Sequence, residues 1–220
     1  MASFLTRVEV NPRRRASGRI LSSPHRMHGA VSACFPPSRT PTRPLWRVDR
    51  TRTGIFLYIV SDIAPDPTGF VEEHGWPLAG GWQTRSYEEV LDRVTVGSQF
   101  GFRLTANPVR HRRAGDSNAD ERTRGKRVAH VTAAQQLDWF VGRGDQWGFS
   151  VGSPEAPTAR IVERRTIEFK RQEASVTIGV ATFEGILRVT DATQLRSSLT
   201  TGLGPAKAYG CGLLTLAPPP

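Results

Sequence analysis

Phe4-Leu5-Thr6-Arg7-Val8-Glu9-Val10 alternates in polarity, the period-two pattern of a strand with one buried face. The elements that follow it decide the fold. Pro24 suits the first turn of a helix, and that helix runs through His28 towards Cys34. Residues 36–44 are rich in Pro, Arg and Thr and read as a loop. Leu45-Trp46-Arg47-Val48 and Ile55-Phe56-Leu57-Tyr58-Ile59-Val60 are the next strands, with Gly54 in their connection. Residues 62–82 read as irregular. Ser86, with Glu89 three positions on, predicts a capping box and a second helix. Gln99 to Ala106 then reads as a fourth strand. The order βαββαβ is that of a ferredoxin-like unit.

A polar stretch at 109–127 suggests a mobile loop, and a second round follows it. Val128–Val131 reads as a short strand and Thr132–Phe140 as a helix. Arg160–Lys170 and Val176–Thr190 read as strands around a polar turn. Asp191 caps a helix to Leu199, and Leu213–Leu216 is a last strand. The expected fold is α+β, two tandem ferredoxin-like (RRM-like) βαββαβ domains over residues 1–110 and 125–220.

The chain has 220 residues, 38% of them hydrophobic, and a net charge of +10. Residues 1–52 hold eleven arginines and two acidic residues, so nearly all the excess lies there. Such a region reads as a footprint for nucleic acid. An anionic membrane is the other partner that basic charge allows, but no amphipathic helix or long apolar run supports it. Lysine occurs at Lys126, Lys170 and Lys207 alone. Arginine suits bidentate phosphate contacts and stacking on bases. Cys34 and Cys211 form no metal-ligand pattern and imply no disulfide. The basic N-terminus lacks the apolar core of a signal peptide, and a cytoplasmic location is expected.

Two stretches carry the chemistry. Gly202-Leu203-Gly204-Pro205-Ala206-Lys207-Ala208-Tyr209-Gly210-Cys211-Gly212 surrounds one lysine with glycines. Glycine lets backbone approach a ligand closely, and successive N–H groups in such a loop can form an anion nest. No Gly-Lys-Ser/Thr element accompanies it, so a nucleotide-hydrolysing P-loop is excluded. Far upstream, Ser23-Pro24-His25-Arg26-Met27-His28 places two histidines three residues apart, on one helical face. Histidine is the natural proton carrier near neutral pH. A metal pair would need a third ligand, and none lies at a convincing spacing. No metal and no cofactor is expected.

Met27-His28, Phe102-Arg103-Leu104-Thr105-Ala106-Asn107-Pro108, Gly125-Lys126-Arg127-Val128, Phe183-Glu184-Gly185 and Gly202-Leu203-Gly204-Pro205-Ala206-Lys207 occur in one order across the whole chain. With these five pieces the chain resembles the CasE family, the CRISPR repeat-processing endoribonucleases of type I-E systems. The resemblance implies the same tandem architecture. It implies a metal-independent cut of precursor RNA at the 3′ base of the repeat hairpin, leaving a 2′,3′-cyclic phosphate and a 5′-OH. It also implies CRISPR precursor RNA, the mature guide RNA hairpin and the other Cascade subunits as partners. A non-catalytic subunit that only caps the hairpin is the alternative, and a general RNA chaperone a weaker one.

His28 matches the family's catalytic histidine, which follows an apolar residue on the first helix. His25 stands where the family often has tyrosine; it could share proton transfer or only hold phosphate. Arg13, Arg14, Arg15 and Arg26 cluster around this helix as candidate phosphate contacts. Lys170-Arg171, with Arg164-Arg165 on the same segment, falls where the family places a basic hairpin that enters the RNA stem. Lys126-Arg127 matches its basic strand. Gly202, Gly204 and Gly210 would shape the loop in which Lys207 serves phosphate. The five tryptophans read as packing residues.

Overall fold

The computed structural model describes residues 3–37, 43–76, 81–111, 127–153, 155–171 and 174–219. The chain opens with β1 (Phe4–Val10), α1 (Arg15–Leu21), α2 (Pro24–Ser32), β2 (Leu45–Arg50), β3 (Ile55–Ser61), α3 (Thr68–His74) and β4 (Trp82–Ser86). The four strands form an antiparallel sheet in the order β2-β3-β1-β4. Register runs from Phe4 opposite Ser61 to Val10 opposite Ile55. Period two sends Val8, Val10, Leu57 and Ile59 to one face, where they bury with Met27 and Val31 of α2. Met27 and Val31 are four apart, so one stripe of α2 is spent on this core.

The chain continues through α4 (Glu88–Asp92), β5 (Gln99–Ala106), β6 (Val109–His111), β7 (Arg127–Ala129), α5 (Ala133–Val141), α6 (Gly144–Trp147) and β8 (Phe149–Ser150). It closes with β9 (Ala159–Arg171), β10 (Ala174–Val189), α7 (Ala192–Thr201), a 3₁₀ turn over Lys207–Tyr209 and β11 (Leu214–Ala217). β5 lies between β11 and β10, and β10 pairs both β9 and β8, all antiparallel. β8 and β9 thus share the partner β10 as one interrupted strand. The second core packs Phe102, Leu104, Phe183 and Leu187 of this sheet beneath Trp139, Phe140, Leu195 and Leu199 of α5 and α7. The Phe140 and Phe183 rings stack with centroids 4.6 Å apart.

The α+β class and two ferredoxin-like sheets are as expected, but the first sheet closes differently. Its fourth strand is Trp82–Ser86, and the helix before that strand is Thr68–His74, both within or beside the stretch read as irregular. Gln99–Ala106, expected to close the first sheet, is an interior strand of the second. Sheet membership therefore divides the chain between β4 and β5, rather than in the polar stretch after residue 110. α3 escaped notice because it is seven residues long and buries only Phe70 and His74. β4 is short and buries no residue fully. Ser86 does not form a capping box. Tyr87 is the N-cap of a five-residue helix, and Ser86 Oγ accepts from Glu88 N at 3.3 Å. The strand expected at 128–131 is β7, which pairs β6 outside both sheets. Thr132 and Asp191 do cap α5 and α7 through their side chains. The loop expected at 109–127 lies mostly outside the described residues.

A buried arginine joins the two sheets. Arg47 is 2% exposed. Its Nε and Nη2 donate to the two carboxylate oxygens of Asp49, each at 2.7 Å. Its Nη1 donates to the carbonyls of Arg103 and Leu213, and Nη2 also to Thr215 Oγ1, each at 2.8 Å. Arg103 Nε reaches the same Asp49 at 3.2 Å and its Nη1 pairs with Glu184. β2 of the first sheet is thereby fastened to β5 and β11 of the second.

Candidate active site

α2 begins at Ser23, whose hydroxyl accepts from Arg26 N at 3.4 Å, with Pro24 in the first turn. This start fixes the rotation of the helix. Met27 points into the core, His25 and Arg26 are exposed, and His28 is half-buried beside them. His28 Nδ1 is buried with no hydrogen-bond partner among the described residues. Burial first, then the charges of His25 and Arg43, hold the imidazole below its ordinary range near 6.5. His28 is therefore neutral at pH 7 and able to accept a proton.

The C-terminal loop comes to this helix from the far end of the chain. α2 packs against the Lys207–Tyr209 turn, and that turn also rests on β2. Lys207 is partly buried, and burial followed by the charge of Arg43 lowers its pKa. Arg43 thus acts on both His28 and Lys207. Sequence reasoning passed over Arg43 because it lies in the Pro-Arg-Thr stretch read only as loop; its membership of the N-terminal basic run was the available signal.

The loop glycines have a packing reason. Gly202 has φ +77°, and a Cβ there would sit 2.6 Å from Leu45 Cδ2. Gly210 has φ +80°, and a Cβ would sit 2.6 Å from Trp46 Cζ3. Gly204, φ +69°, lies over the Trp139 ring. Leu203 N donates to Gly212 O at 2.9 Å, and Gly212 N to Thr105 O at 2.8 Å. These contacts press the loop onto both cores and so present Lys207 to α2.

The remaining expected residues separate into groups. Arg13, Arg15 and Arg26 are exposed near α1 and α2. Arg14 donates to the Glu72 carbonyl and ties α1 to α3. Successive residues of a strand face opposite ways, and β9 shows this at its arginines. Arg164 turns to α5, with Nε 2.8 Å from Gln136 Oε1 and a further bond to Val131 O. Arg165 faces the groove between the α1–α2 pair and β9, 3.6 Å from Glu163. Lys170 is exposed near the tip of the β9–β10 hairpin, and the Arg171 backbone pairs with Ala174. Arg127 lies in β7 opposite His111, and Lys126 lies outside the described residues. His25 and His28 share α2, and Arg43 acts on both His28 and Lys207; Arg14 and Arg164 are engaged in holding the fold.

Both cysteines are free and buried. Burial pushes the Cys34 thiol up to about 11 and the Cys211 thiol to about 12, so neither is a ready nucleophile. Among the described residues no three His, Cys, Asp or Glu side chains converge as metal ligands.

A family model described as CRISPR associated protein matches residues 3–218. The chain belongs to that family. It is 30% identical over 226 residues to the CRISPR-associated endoribonuclease Cse3 of Thermus thermophilus, covering 98% of this chain and 100% of the relative. It is also 30% identical over 133 residues to the Cascade subunit CasE of Escherichia coli, covering 60% of this chain and 64% of that one. The structure of Thermus thermophilus Cse3 bound to an RNA representing a pre-cleavage complex superposes with a TM-score of 0.80 at 27% identity. That match covers 99% of this chain and 100% of the Cse3 chain. This CRISPR-associated chain therefore carries the tandem fold of Cse3 from end to end, and the resemblance carried by its five motifs holds at the level of the family.

Proposed function

We propose that this protein is an endoribonuclease that binds the hairpin of a CRISPR repeat and cuts precursor RNA at the hairpin's 3′ base. It then keeps the mature guide RNA as a subunit of Cascade. The observation that carries the reading is His28, a neutral imidazole with an unpartnered buried nitrogen, under the charge of an Arg43 that also acts on Lys207. The names of its relatives, an endoribonuclease and a Cascade subunit, support it.

RNA supplies its own nucleophile. The 2′-oxygen attacks the adjacent phosphorus as its proton departs, and the bond from phosphorus to the 5′-oxygen breaks. The 5′-oxygen takes a proton, leaving a 2′,3′-cyclic phosphate and a 5′-OH. Neutral His28 accepts the 2′-OH proton. Lys207 and Arg43 face the charge that grows on the phosphoryl oxygens, where fixed cations favour the transition state. His25, exposed on the same helical flank, holds the phosphate. Arg13, Arg15 and Arg26 take phosphates beside the cut. Arg165, Lys170 and Arg171 meet the stem, whose A-form geometry hides base edges and is read through its backbone. Arg127, in β7, and its sequence neighbour Lys126 add basic charge. Arg14 and Arg164 support this surface through the fold. The chemistry uses no cofactor and no metal. The two units meet in the segment of residues 87–98. No helix among the described residues is long and apolar enough to cross a membrane, and the protein works in the cytoplasm.

Labelled repeat RNA tests the reading. The wild-type protein cuts at one position, and His28→Ala lowers the single-turnover rate by roughly 10²- to 10⁴-fold with hairpin affinity kept. Cleavage by His28→Ala at the wild-type rate refutes the assignment. Tight binding without cleavage by the wild type assigns the chain to hairpin capping alone.

A further inference from the structure

Arg43, which acts on His28, and Lys207 both line a cavity of about 790 Å³ where the end of β3, α4 and the last turns of α7 meet. Its lining mixes polar and charged side chains with the apolar Val60 and Leu91. Ser61, Ser197 and Thr200 contribute hydroxyls, and Glu88 contributes a carboxylate. Arg196, on the same wall, is already engaged, donating to the carbonyls of Leu91 and Val94 at 2.9 and 2.8 Å. Those two bonds hold α4 in place against α7. Glu88 is not engaged in this way. Its Oε1 is buried and has no hydrogen-bond partner among the described residues. A buried carboxylate oxygen without a donor is uncommon, because the lost hydration is not replaced. The cavity thus has two cations on its wall, one of which, Arg43, also acts on His28, and an unmatched acceptor.

That layout fits one nucleotide. A phosphate between Arg43 and Lys207 would be the scissile phosphate, and it is the 5′-phosphate of the residue that follows the cut. We propose that the cavity receives this first nucleotide on the leaving side, with its base donating an amino hydrogen to the Glu88 carboxylate. Adenine, cytosine and guanine each carry an exocyclic amine; uracil carries none. The inference rests on the cleavage reading above and adds a recognition element that the hairpin itself does not contain. It places part of the specificity on RNA that is released.

The test separates substrate from product. A 2′-deoxy precursor, which cannot be cut, is bound with adenine, cytosine, uracil or an abasic site at the first leaving-side position. Cleavable precursors with the same four variants are cut under single-turnover conditions. A hydrogen bond to a charged group is worth roughly 10- to 100-fold. The expected result is a loss of that size in precursor affinity or rate for uracil and the abasic site, absent in Glu88→Ala. Glu88→Gln, whose amide both donates and accepts, should regain uracil. Affinity for the mature hairpin, which lacks this nucleotide, should not change in either variant. Equal behaviour of all four precursors in the wild type, or the same losses in Glu88→Ala, overturns the inference while leaving His28 as assigned. Glu88-dependent binding of the deoxy precursor with no cleavage of any ribose form refutes the endoribonuclease reading and leaves the pocket standing. Absence of precursor binding overturns both.

Discussion

Arg47→Ala offers a sharp test of how the site is held together. The side chain makes five hydrogen bonds, two of them to Asp49 and three to groups of the second sheet. Alanine removes all five and leaves Asp49, 5% exposed, with Arg103 Nε at 3.2 Å as its remaining cationic partner. The carbonyl of Leu213 is deprived of this donor as well. Breaking a buried pair from one side costs about 3–5 kcal/mol, because the remaining charge stays buried. For a chain of this length each kcal/mol lowers Tm by about 2–4 °C, so the melting point should fall by roughly 6–20 °C. Urea titration followed by tryptophan fluorescence and by circular dichroism gives the free energy directly. The two probes should also separate, because the sheets lose a shared anchor while each keeps its own core. Asp49→Leu placed on Arg47→Met should cost less than the two single losses added, by about 0.5–3 kcal/mol. A loss under about 1 kcal/mol for Arg47→Ala, or strict additivity in the double variant, refutes the account of Arg47 as the fastener.

Four further outcomes are expected. The depressed pKa of His28 means its neutral form dominates above the ordinary imidazole value; the cleavage rate should rise with pH below about 6.5 and stay flat above it, and a midpoint above 7 in the pH–rate profile refutes the base assignment. Because His74 is also held below its ordinary value by burial, the unfolded state takes up its proton first as pH falls; stability should drop below about pH 6.5, and His74→Leu should flatten that slope in thermal melts. Gly210→Ala, forced to φ +80° and against Trp46, should lose about 1–3 kcal/mol of stability in urea melts and cleave more slowly, whereas normal activity would show that the loop's seat on Trp46 does not position Lys207. Lys170→Ala with Arg171→Ala should reduce the slope of log affinity against log salt by about 0.7 to 0.9 for each phosphate that is no longer neutralised, and an unchanged slope places both away from the stem.

Strands with strong period-two patterns were legible almost to the residue. β1, β5 and the long β9–β10 hairpin stand where alternation and turn signals put them. Pro24 and Ser23 marked the start of α2, and Asp191 the start of α7. What the sequence could not express was pairing. Gln99–Ala106 has the same local pattern whether it closes the first sheet or lies inside the second, and only its contacts with β10 and β11 decide. α3 and β4 were too short for periodicity to rise above noise. The same limit applied to the site. His28 and the lysine of the glycine loop were visible as residue types in telling surroundings. Arg43 was hidden because its action on His28 and Lys207 comes from position in space, as was Arg47, which reads from sequence as one more basic residue on an apolar strand. The glycines were recognised for their freedom, but the surfaces they make room for, Leu45 and Trp46, lie far away in sequence.

Leu104 in β5 is flanked by Phe183 and Leu214, so its strand lacks a full pair of neighbours until some 110 further residues have been made. During synthesis at about 5–20 residues per second, roughly 5–20 s pass between the appearance of β5 and that of β11. Within that interval the helix bearing His28 can fold on its own sheet while Lys207 has yet to be made. A nascent chain on the ribosome, surrounded by RNA, would thus carry His28 and Arg43 without the lysine of the proposed site. The proposed site would be complete only once the loop bearing Lys207 had been made and had packed on α2.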